Sequence, residues 1–303
     1  MKRLSILLIL MAAASAIAAS ARSEVRFGNE SADTTAITAL LDSAPRQYAN
    51  PEELTAFFAR SFIGTPYAAH TLEAPEEILT VRIDSLDCTT FVETAMALAF
   101  TVLEKRSSWR DFVYNLRRIR YRGGEIEGYP SRLHYICDWA VDNKYRGNFS
   151  DVTGTFPRYS NMVRSIDFMT DNRKLYPALA DQNNYDRIRA IESGYRNHKF
   201  PYIKTIDLGS KATKAAFRNG DVVALVSTLK NLDVTHMGIV VKESPEADPY
   251  LLHASSSNGV VEISSRPLAE FLKKNRQWLG VRVAAMRAWR HCRLRRGASP
   301  SSR

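Results

Sequence analysis

The feature that most constrains the fold is a change of pattern along the chain, from helical periodicity to short β-rich runs. Asn50 can cap a helix, Pro51 suits a first turn, and two acidic residues follow where the helix dipole is positive. We predict that this helix runs to about residue 62. Four short runs in the last third are bounded by turn residues and predict strands: 221–226, 236–242, 250–253 and 260–263. Helices first and a compact antiparallel sheet later predict an α+β fold.

A second helix is predicted to begin near Cys88. The residues expected on its inward face are Phe91, Val92, Ala95, Met96, Leu98 and Ala99. Residues 105–215 are mixed, with loops rich in Gly, Tyr and Asn. Helices are predicted in this part near 108–119, 132–144 and 180–193.

The first residues have the pattern of an export signal. A short basic start precedes residues 4–18, which are almost entirely apolar or small, and the Ala-Ser-Ala of residues 19–21 fits the site that signal peptidases cleave. A membrane anchor is less well supported, because the apolar run falls short of the roughly 20 residues that a span needs. We therefore expect residues 1–21 to be removed and the mature protein to be soluble, exported, and periplasmic or extracellular.

A net charge of +10 is typical of a protein that binds nucleic acid, but the positions of the charged residues along the chain argue against that interpretation. Two cations leave with the signal segment, and residues 287–303 hold six arginines and no acid, which leaves the body near +2. A basic tail on a nearly neutral body argues against a nucleic-acid groove. The tail is expected to be solvated, with contact to anionic envelope polymers or lipid headgroups as the alternative.

Three cysteines are an odd number for an exported protein, so at least one thiol is free. Cys292 lies in the basic tail and indicates nothing. Cys137 lies on the apolar face of a predicted helix, which is typical of a core residue. Cys88 instead lies at a helix start that Ser85 or Asp87 can cap, where unpaired N–H groups favour the thiolate.

A cysteine nucleophile needs an imidazole to accept its proton and a third group to orient that imidazole. His236 opens one apolar strand run and His253 ends the next. If these runs are neighbouring antiparallel strands, the two side chains reach one edge of the sheet. A single histidine on a strand more often has a structural role. Two histidines on adjacent strands, together with a cysteine at a helix start, form a much more specific pattern.

Five segments together resemble the NlpC-type papain-like cell-wall hydrolases. They are Gly64-Thr65-Pro66-Tyr67, Asp87-Cys88-Thr89-Thr90-Phe91-Val92, Gly220-Asp221-Val222-Val223, His236-Met237-Gly238-Ile239-Val240 and Leu252-His253-Ala254-Ser255. The resemblance implies a papain-like core, with the nucleophile helix packed on a small antiparallel sheet. It also implies that Cys88 attacks, His236 is the base and His253 orients it. Tyr67 would line the site, and Asp87 would help to hold the substrate.

Two departures from that family indicate one of its branches. His236 lies 148 positions after Cys88, so residues of about 105–215 form a large insertion, and Thr89-Thr90 replaces the usual Ser-Gly. With residues 131–135 and Trp139, these features resemble the N-acetylmuramoyl-L-alanine amidases that act on soluble anhydro-muropeptides. The resemblance implies that Arg132 and His134 bind substrate, although His134 is also compatible with a plain pair on a helix face.

The implied reaction is hydrolysis of the N-acetylmuramoyl-L-alanine amide bond through a cysteine thioester, with peptidoglycan fragments as the partner. The alternatives are a γ-D-glutamyl-diaminopimelate endopeptidase of the same fold and a wall-binding module without catalysis. No cofactor and no metal are expected, because no Cys-x-x-Cys or His-Glu-x-x-His spacing accompanies the histidines.

The predicted organisation has four parts: a signal peptide (1–21), an N-terminal extension (22–49), a catalytic domain (50–286) with its insertion, and a basic tail (287–303). We expect no stable membrane span and no nucleic-acid partner, and we expect a monomer.

Overall fold

The helix predicted to start at Asn50 is present. In this computed structural model, which describes residues 25–286, the Asn50 side chain accepts a hydrogen bond from the backbone N–H of Glu53 at 3.2 Å. The helix ends at Arg60, two residues earlier than expected. The helices of the described residues are α1 (Glu30–Asp42), α2 (Pro51–Arg60), α3 (Cys88–Leu103), α4 (Trp109–Arg120), α5 (Ile136–Tyr145), α6 (Phe168–Asp171), α7 (Gln182–Ser193), α8 (Lys211–Ala216) and α9 (Leu268–Lys274).

The four β-rich runs of the last third form neighbouring antiparallel strands. The strands are β1 (Val25–Phe27), β2 (Leu79–Val81), β3 (Ser150–Asp151), β4 (Ser160–Arg164), β5 (His198–Lys204), β6 (Val222–Ser227), β7 (Val234–Val241), β8 (Tyr250–Ser255), β9 (Val260–Pro267) and β10 (Trp278–Ala285). The main sheet has the order β4-β5-β10-β6-β7-β8-β9, with β3 paired to β10. β1 and β2 form a separate parallel pair. The prediction of an α+β fold with an antiparallel sheet is confirmed.

The two faces of the sheet carry different hydrophobic clusters, because successive side chains along each strand point to opposite faces. Met237, Ile239 and Leu252 face the larger cluster, which contains the buried side of α3 together with residues of α1, α2 and α4. Val240 and Leu251 face a second cluster, closed by α9. The six residues expected on the inward face of α3 are all buried. The sheet therefore holds α3 on one face and α9 on the other.

The part of the chain between α3 and β6 adds to both the sheet and the core. β4 and β5 extend the sheet beyond β10. A third hydrophobic cluster lies outside the sheet and contains Tyr129, Tyr135, Cys137, Ile166, Met169, Leu179 and Ile188. It is fixed by a polar contact in which the Tyr135 hydroxyl donates to Glu192 at 2.6 Å and accepts from the Met169 backbone at 2.7 Å.

One predicted helix begins later than its periodicity indicated. Residues 132–144 were expected to be helical, but α5 begins at Ile136. Tyr129–Ser131 forms a 3-10 turn that contains Pro130, and Arg132 then adopts an extended conformation. Arg132 forms a β-bridge with Tyr121, so tertiary pairing overrides helix propensity at these positions.

The signal peptide of residues 1–21 and the basic tail of residues 287–303, with Cys292, lie outside the described residues. The described part of the N-terminal extension forms β1 and α1, and α1 contributes Ile37 and Leu41 to the larger cluster. Across residues 25–286, every helix is too short or too polar to cross a membrane.

Candidate active site

The start of α3 is fixed by a capping box around Cys88. Asp87 is the N-cap, and its Oδ1 accepts from the Thr90 backbone N–H at 2.7 Å and from the Thr90 hydroxyl at 2.9 Å. In return, the Thr90 hydroxyl accepts from the Asp87 backbone N–H at 2.9 Å. This reciprocal pair satisfies two backbone donors and makes Cys88 the first helical residue. It also gives Thr90, one of the departures from the NlpC pattern, a local structural role.

The Cys88 thiol is half-buried and lies against the strand that carries the first histidine. The backbone of Met237, the residue after His236, lies close enough to the thiol to favour its thiolate form, and Cys88 Sγ lies 4.0 Å from the Thr89 hydroxyl. Burial, followed by the negative charge of Asp87, raises the pKa of the Cys88 thiol to about 11. The helix start alone predicts a lowered pKa, but these two effects outweigh it. The resting group is therefore a neutral thiol that needs a base.

His236 and His253 come together across β7 and β8. Ile239 pairs with Leu252, so the register puts Gly238 opposite His253 and His236 one pleat further along the same face. His236 Nε2 lies 2.8 Å from His253 Nδ1, and the rings are perpendicular. A Cβ on Gly238 would lie 2.7 Å from the Leu252 carbonyl oxygen and 3.0 Å from His253 Cβ. Glycine is therefore needed where the two rings approach each other.

Both imidazoles are neutral at ordinary pH. Burial, followed by the charge of His253, lowers the pKa of His236 to about 3. Burial lowers the pKa of His253 to about 4, although the carboxylate of Glu262 acts in the opposite direction. A neutral imidazole has one nitrogen with a lone pair, so each ring can act as a proton acceptor through that nitrogen.

Two aromatic side chains that sequence reasoning missed enclose the histidine pair. Trp278 stacks on the His236 ring with centroids 5.9 Å apart, and Phe271 lies edge-on to His253 at 5.5 Å. Trp278 Nε1 donates to the Thr235 hydroxyl at 3.0 Å, which fixes the indole beside His236. Neither residue has a sequence signal, because both come from elements far from the histidines along the chain.

Tyr67 reaches the site through a short segment that pairs on both sides. The Tyr67 backbone N–H donates to the Gly259 carbonyl at 2.7 Å, next to a β-bridge between Pro66 and Val260. On its other side, Tyr67 forms a parallel bridge with Leu86, two residues before Cys88. Burial, followed by the charges of Cys88 and Asp87, raises the pKa of the Tyr67 phenol. The structure thus brings Tyr67, Asp87 and Cys88 together.

Arg132 and His134, within the insertion, belong to a buried polar network that includes two glutamates from the segment before Cys88. Arg132 forms ion pairs with Glu73 at 2.8 Å and Glu77 at 3.3 Å, and only 8% of its side chain is exposed. His134 Nε2 lies 2.9 Å from the Tyr129 carbonyl oxygen, and its ring packs on that of Tyr129. Burial, followed by the charge of Arg132, lowers the pKa of His134 to about 3. Their substrate role stays a prediction.

A cavity of about 710 Å³ adjoins this network, with Glu73, Glu77 and Tyr129 among its lining residues.

Trp139, another residue of the resemblance, is buried against Phe149 in the larger cluster. Within residues 25–286, no three His, Cys, Asp or Glu side chains are grouped so that they could hold a metal ion.

The sequence and the fold of this chain are similar to those of known proteins. The AmiA-like family of N-acetylmuramoyl-L-alanine amidase-like proteins matches residues 57–281. An N-acetylmuramoyl-L-alanine amidase from Bacteroides uniformis, solved at 1.15 Å, is 35% identical over 78% of this chain and 99% of that one, with a TM-score of 0.73. No curated protein matches the sequence.

Two further solved structures are similar. A Bacteroides fragilis protein provisionally named a xylanase is 35% identical over 75% of this chain and 98% of that one, with a TM-score of 0.69. A Legionella pneumophila protein of the DUF1460 family, at 21% identity and a TM-score of 0.64 over 84% of this chain and 95% of that one, shares the fold. From the extent of the family match and the identity to the Bacteroides uniformis amidase, this chain belongs to the AmiA-like family of N-acetylmuramoyl-L-alanine amidase-like proteins.

Proposed function

We propose that this protein is a cysteine N-acetylmuramoyl-L-alanine amidase with an NlpC-type papain-like core. Its substrates would be soluble peptidoglycan fragments, including anhydro-muropeptides. The observation that carries the proposal is the position of the helix-start thiol of Cys88 beside the β7 backbone at Met237, the residue after His236, which in turn bonds to His253. The family supports amide hydrolysis as the reaction class.

In this mechanism, Cys88 attacks the lactyl carbonyl of the muramic acid while His236 takes the thiol proton. The Cys88 backbone N–H belongs to the first helical turn, which leaves such groups without an intrahelical partner, and it helps to hold the oxyanion. His236 then protonates the leaving nitrogen of L-alanine as the C–N bond breaks, which leaves a thioester. It next activates the water that hydrolyses the thioester and regenerates the thiol.

The pKa directions indicate when the first proton moves. The thiol pKa is raised and the His236 pKa is lowered, so a thiolate–imidazolium pair is unfavourable in the resting site. Proton transfer would therefore accompany the attack on the carbonyl and not precede it. His253 stabilises the imidazolium through its hydrogen bond, and the stacked Trp278 offers a π-face to the developing cation.

The endopeptidase alternative depends on Asp87, which in that branch would bind the free amine of an L-alanyl peptide. Here Oδ1 of Asp87 is already committed to the capping box with Thr90. An amidase substrate has no free amine at this position. Capping of α3 gives Asp87 a role that does not depend on an amine in the substrate. We therefore favour the amidase reaction, with Tyr67 lining the site and with Arg132 and His134 as its proposed substrate contacts.

A reaction on a glycan chain and a wall-binding module without catalysis are the remaining alternatives. Retaining and inverting glycosidases typically use two carboxylates across the scissile bond. The polar groups of the proposed site are instead the phenol of Tyr67 and the capping carboxylate of Asp87 near Cys88, and the two imidazoles of β7 and β8. A module without catalysis leaves this thiol and histidine pair unexplained. We also propose export, with the protein acting in the periplasm or outside the cell.

The test is a digest of a defined disaccharide-anhydro-tetrapeptide with purified mature protein, read by mass spectrometry, with Cys88→Ala as the control. Release of the intact stem peptide and the free disaccharide, lost in the variant, is the expected result. Release of an L-alanyl-D-glutamate piece, or trimming to a disaccharide dipeptide, would assign the endopeptidase reaction. Binding without cleavage would assign the inactive module, and cleavage of xylan would assign the glycan reaction.

A further inference from the structure

The histidine pair can carry its protons in two directions, and only one of them suits catalysis. Each neutral imidazole has a single N–H, and one hydrogen bond joins His236 Nε2 to His253 Nδ1 at 2.8 Å. If His253 donates, His236 must keep its proton on Nδ1, and no lone pair remains for the thiol. If His236 donates, its Nδ1 lone pair is free to accept the Cys88 proton. Some group must select the second arrangement.

Glu262 is in the right position to make that selection. It lies directly opposite His253 in the pairing of β8 with β9, and its Oε1 lies 4.0 Å from His253 Nε2. Asn258 donates to the same oxygen at 2.7 Å and so holds the carboxylate in place. His253 Nε2 is buried, and among the described residues no group hydrogen-bonds to it. A distance of 4.0 Å is one that a single water or a small rotation of the carboxylate bridges.

We propose that Glu262 is a positioning residue that orients the whole proton chain. Its carboxylate draws the His253 proton to Nε2, which makes His253 Nδ1 an acceptor. His236 then donates from Nε2 and keeps the Nδ1 lone pair for the thiol of Cys88. This inference rests on the proposed function, because it assigns His236 as the base.

The same carboxylate also acts after proton transfer. When His236 becomes an imidazolium, the negative charge of Glu262 lies on the far side of His253 and stabilises the cation through one intervening ring. Since 29% of the Glu262 side chain is exposed, solvent screens this effect in part. The main contribution of Glu262 is therefore to select the tautomers of the two histidines, and this selection does not require a strong electric field.

The test compares Glu262→Leu, which removes the acceptor, with Glu262→Gln, which keeps a carbonyl oxygen at that position. Nitrogen-15 NMR of the labelled histidines reports which ring nitrogen carries the proton. In the wild type and the Gln variant we expect His236 to be protonated at Nε2. In the Leu variant we expect a mixture of both tautomers, with kcat lowered about 10- to 100-fold, KM little changed and partial rescue by Gln.

The matched control is Glu270→Leu, at an exposed glutamate that pairs only loosely with Arg266, at 3.8 Å. It should leave the tautomers and kcat unchanged. Wild-type tautomers in a folded Glu262→Leu variant would overturn the proposal, as would a loss that Gln and Leu share equally. If the Glu262→Leu variant does not fold, the Glu262→Gln variant still tests the proposal. Protons on other histidine nitrogens than in the wild type would contradict the inference. The NMR readout needs no substrate, so it stands even if the amidase assignment fails.

Discussion

Two cysteines of this protein lie at helix starts, yet their surroundings are opposite. Cys88 is the first residue of α3, and Cys137 is the second residue of α5. Burial raises the pKa of both thiols, and each has a nearby aspartate that raises it further: Asp87 for Cys88, and Asp233 for Cys137. By local position and by pKa direction the two are nearly equivalent.

The difference between them lies in what else is within reach. Cys88 is half-buried and lies beside β7, the strand that carries His236, whereas Cys137 is fully buried in the third hydrophobic cluster. Asp233 accepts from the Cys137 backbone N–H at 2.5 Å, and its carboxylate also raises the pKa of the Cys137 thiol. A helix-start cysteine therefore becomes a candidate nucleophile through its tertiary neighbours and its access to solvent, and not through the helix alone.

The largest expected effect separates the two thiols by activity. Cys88→Ala should lower kcat/KM by about 1,000-fold or more, because the proposed thioester forms on the Cys88 sulfur. Cys137→Ala should keep activity within about twofold but lower the free energy of unfolding by about 1–2 kcal/mol, since it removes a buried sulfur. Muropeptide hydrolysis and urea unfolding measure the two quantities. A Cys88→Ala variant with substantial activity would end the proposed mechanism.

A second, smaller contrast is expected in alkylation by iodoacetamide. At pH 8, Cys88 should react about 100-fold faster than Cys137, because Cys137 is inaccessible until the insertion opens locally. The Cys88 rate should rise about tenfold per pH unit and level off near pH 11, since the reactive thiolate is the form that its raised pKa disfavours. Both thiols should react alike in denatured protein. Equal, slow labelling in the native protein would contradict a catalytic Cys88.

Much of this architecture follows from local sequence. Three predicted features depend on residues that lie within one or two turns of each other. They are the cap at Asn50, the helix that begins at Cys88 and the four β-rich runs, and all of them form. The meeting of His236 with His253 required one further assumption, that consecutive strands are neighbours. Consecutive elements usually are adjacent in space, so this placement was also within reach of sequence reasoning.

Features that depend on distant residues could not be predicted. Trp278 and Phe271 reach the histidine pair from β10 and α9, and neither carries a motif. The extended conformation of Arg132 depends on its bridge to Tyr121. The raised pKa of Cys88 results from burial together with Asp87, whereas the sequence showed only a favourable helix start. Long-range packing decides each of these outcomes.

The smallest expected effects come from replacing the charged aspartate beside each cysteine with a neutral asparagine. Asn caps a helix about as well as Asp, so Asp87→Asn should preserve α3 while removing the negative charge that raises the Cys88 pKa. Alkylation of Cys88 at pH 8 should therefore become about threefold to tenfold faster, corresponding to a pKa lowered by up to about one unit. The pH dependence of the alkylation rate gives the pKa directly.

The matched change, Asp233→Asn, should act on stability and leave reactivity unchanged. Asp233 accepts from the Cys137 backbone through one oxygen and from the Val234 backbone through the other, at 2.8 Å. Asn supplies only one carbonyl oxygen, so one buried N–H loses its partner and the free energy of unfolding should fall by about 1–3 kcal/mol. Cys137 would stay buried and unreactive in the native protein. If Asp233→Asn instead accelerated native labelling of Cys137 as much as Asp87→Asn accelerates that of Cys88, charge alone would govern both thiols. The distinction by access and tertiary neighbours would then be wrong.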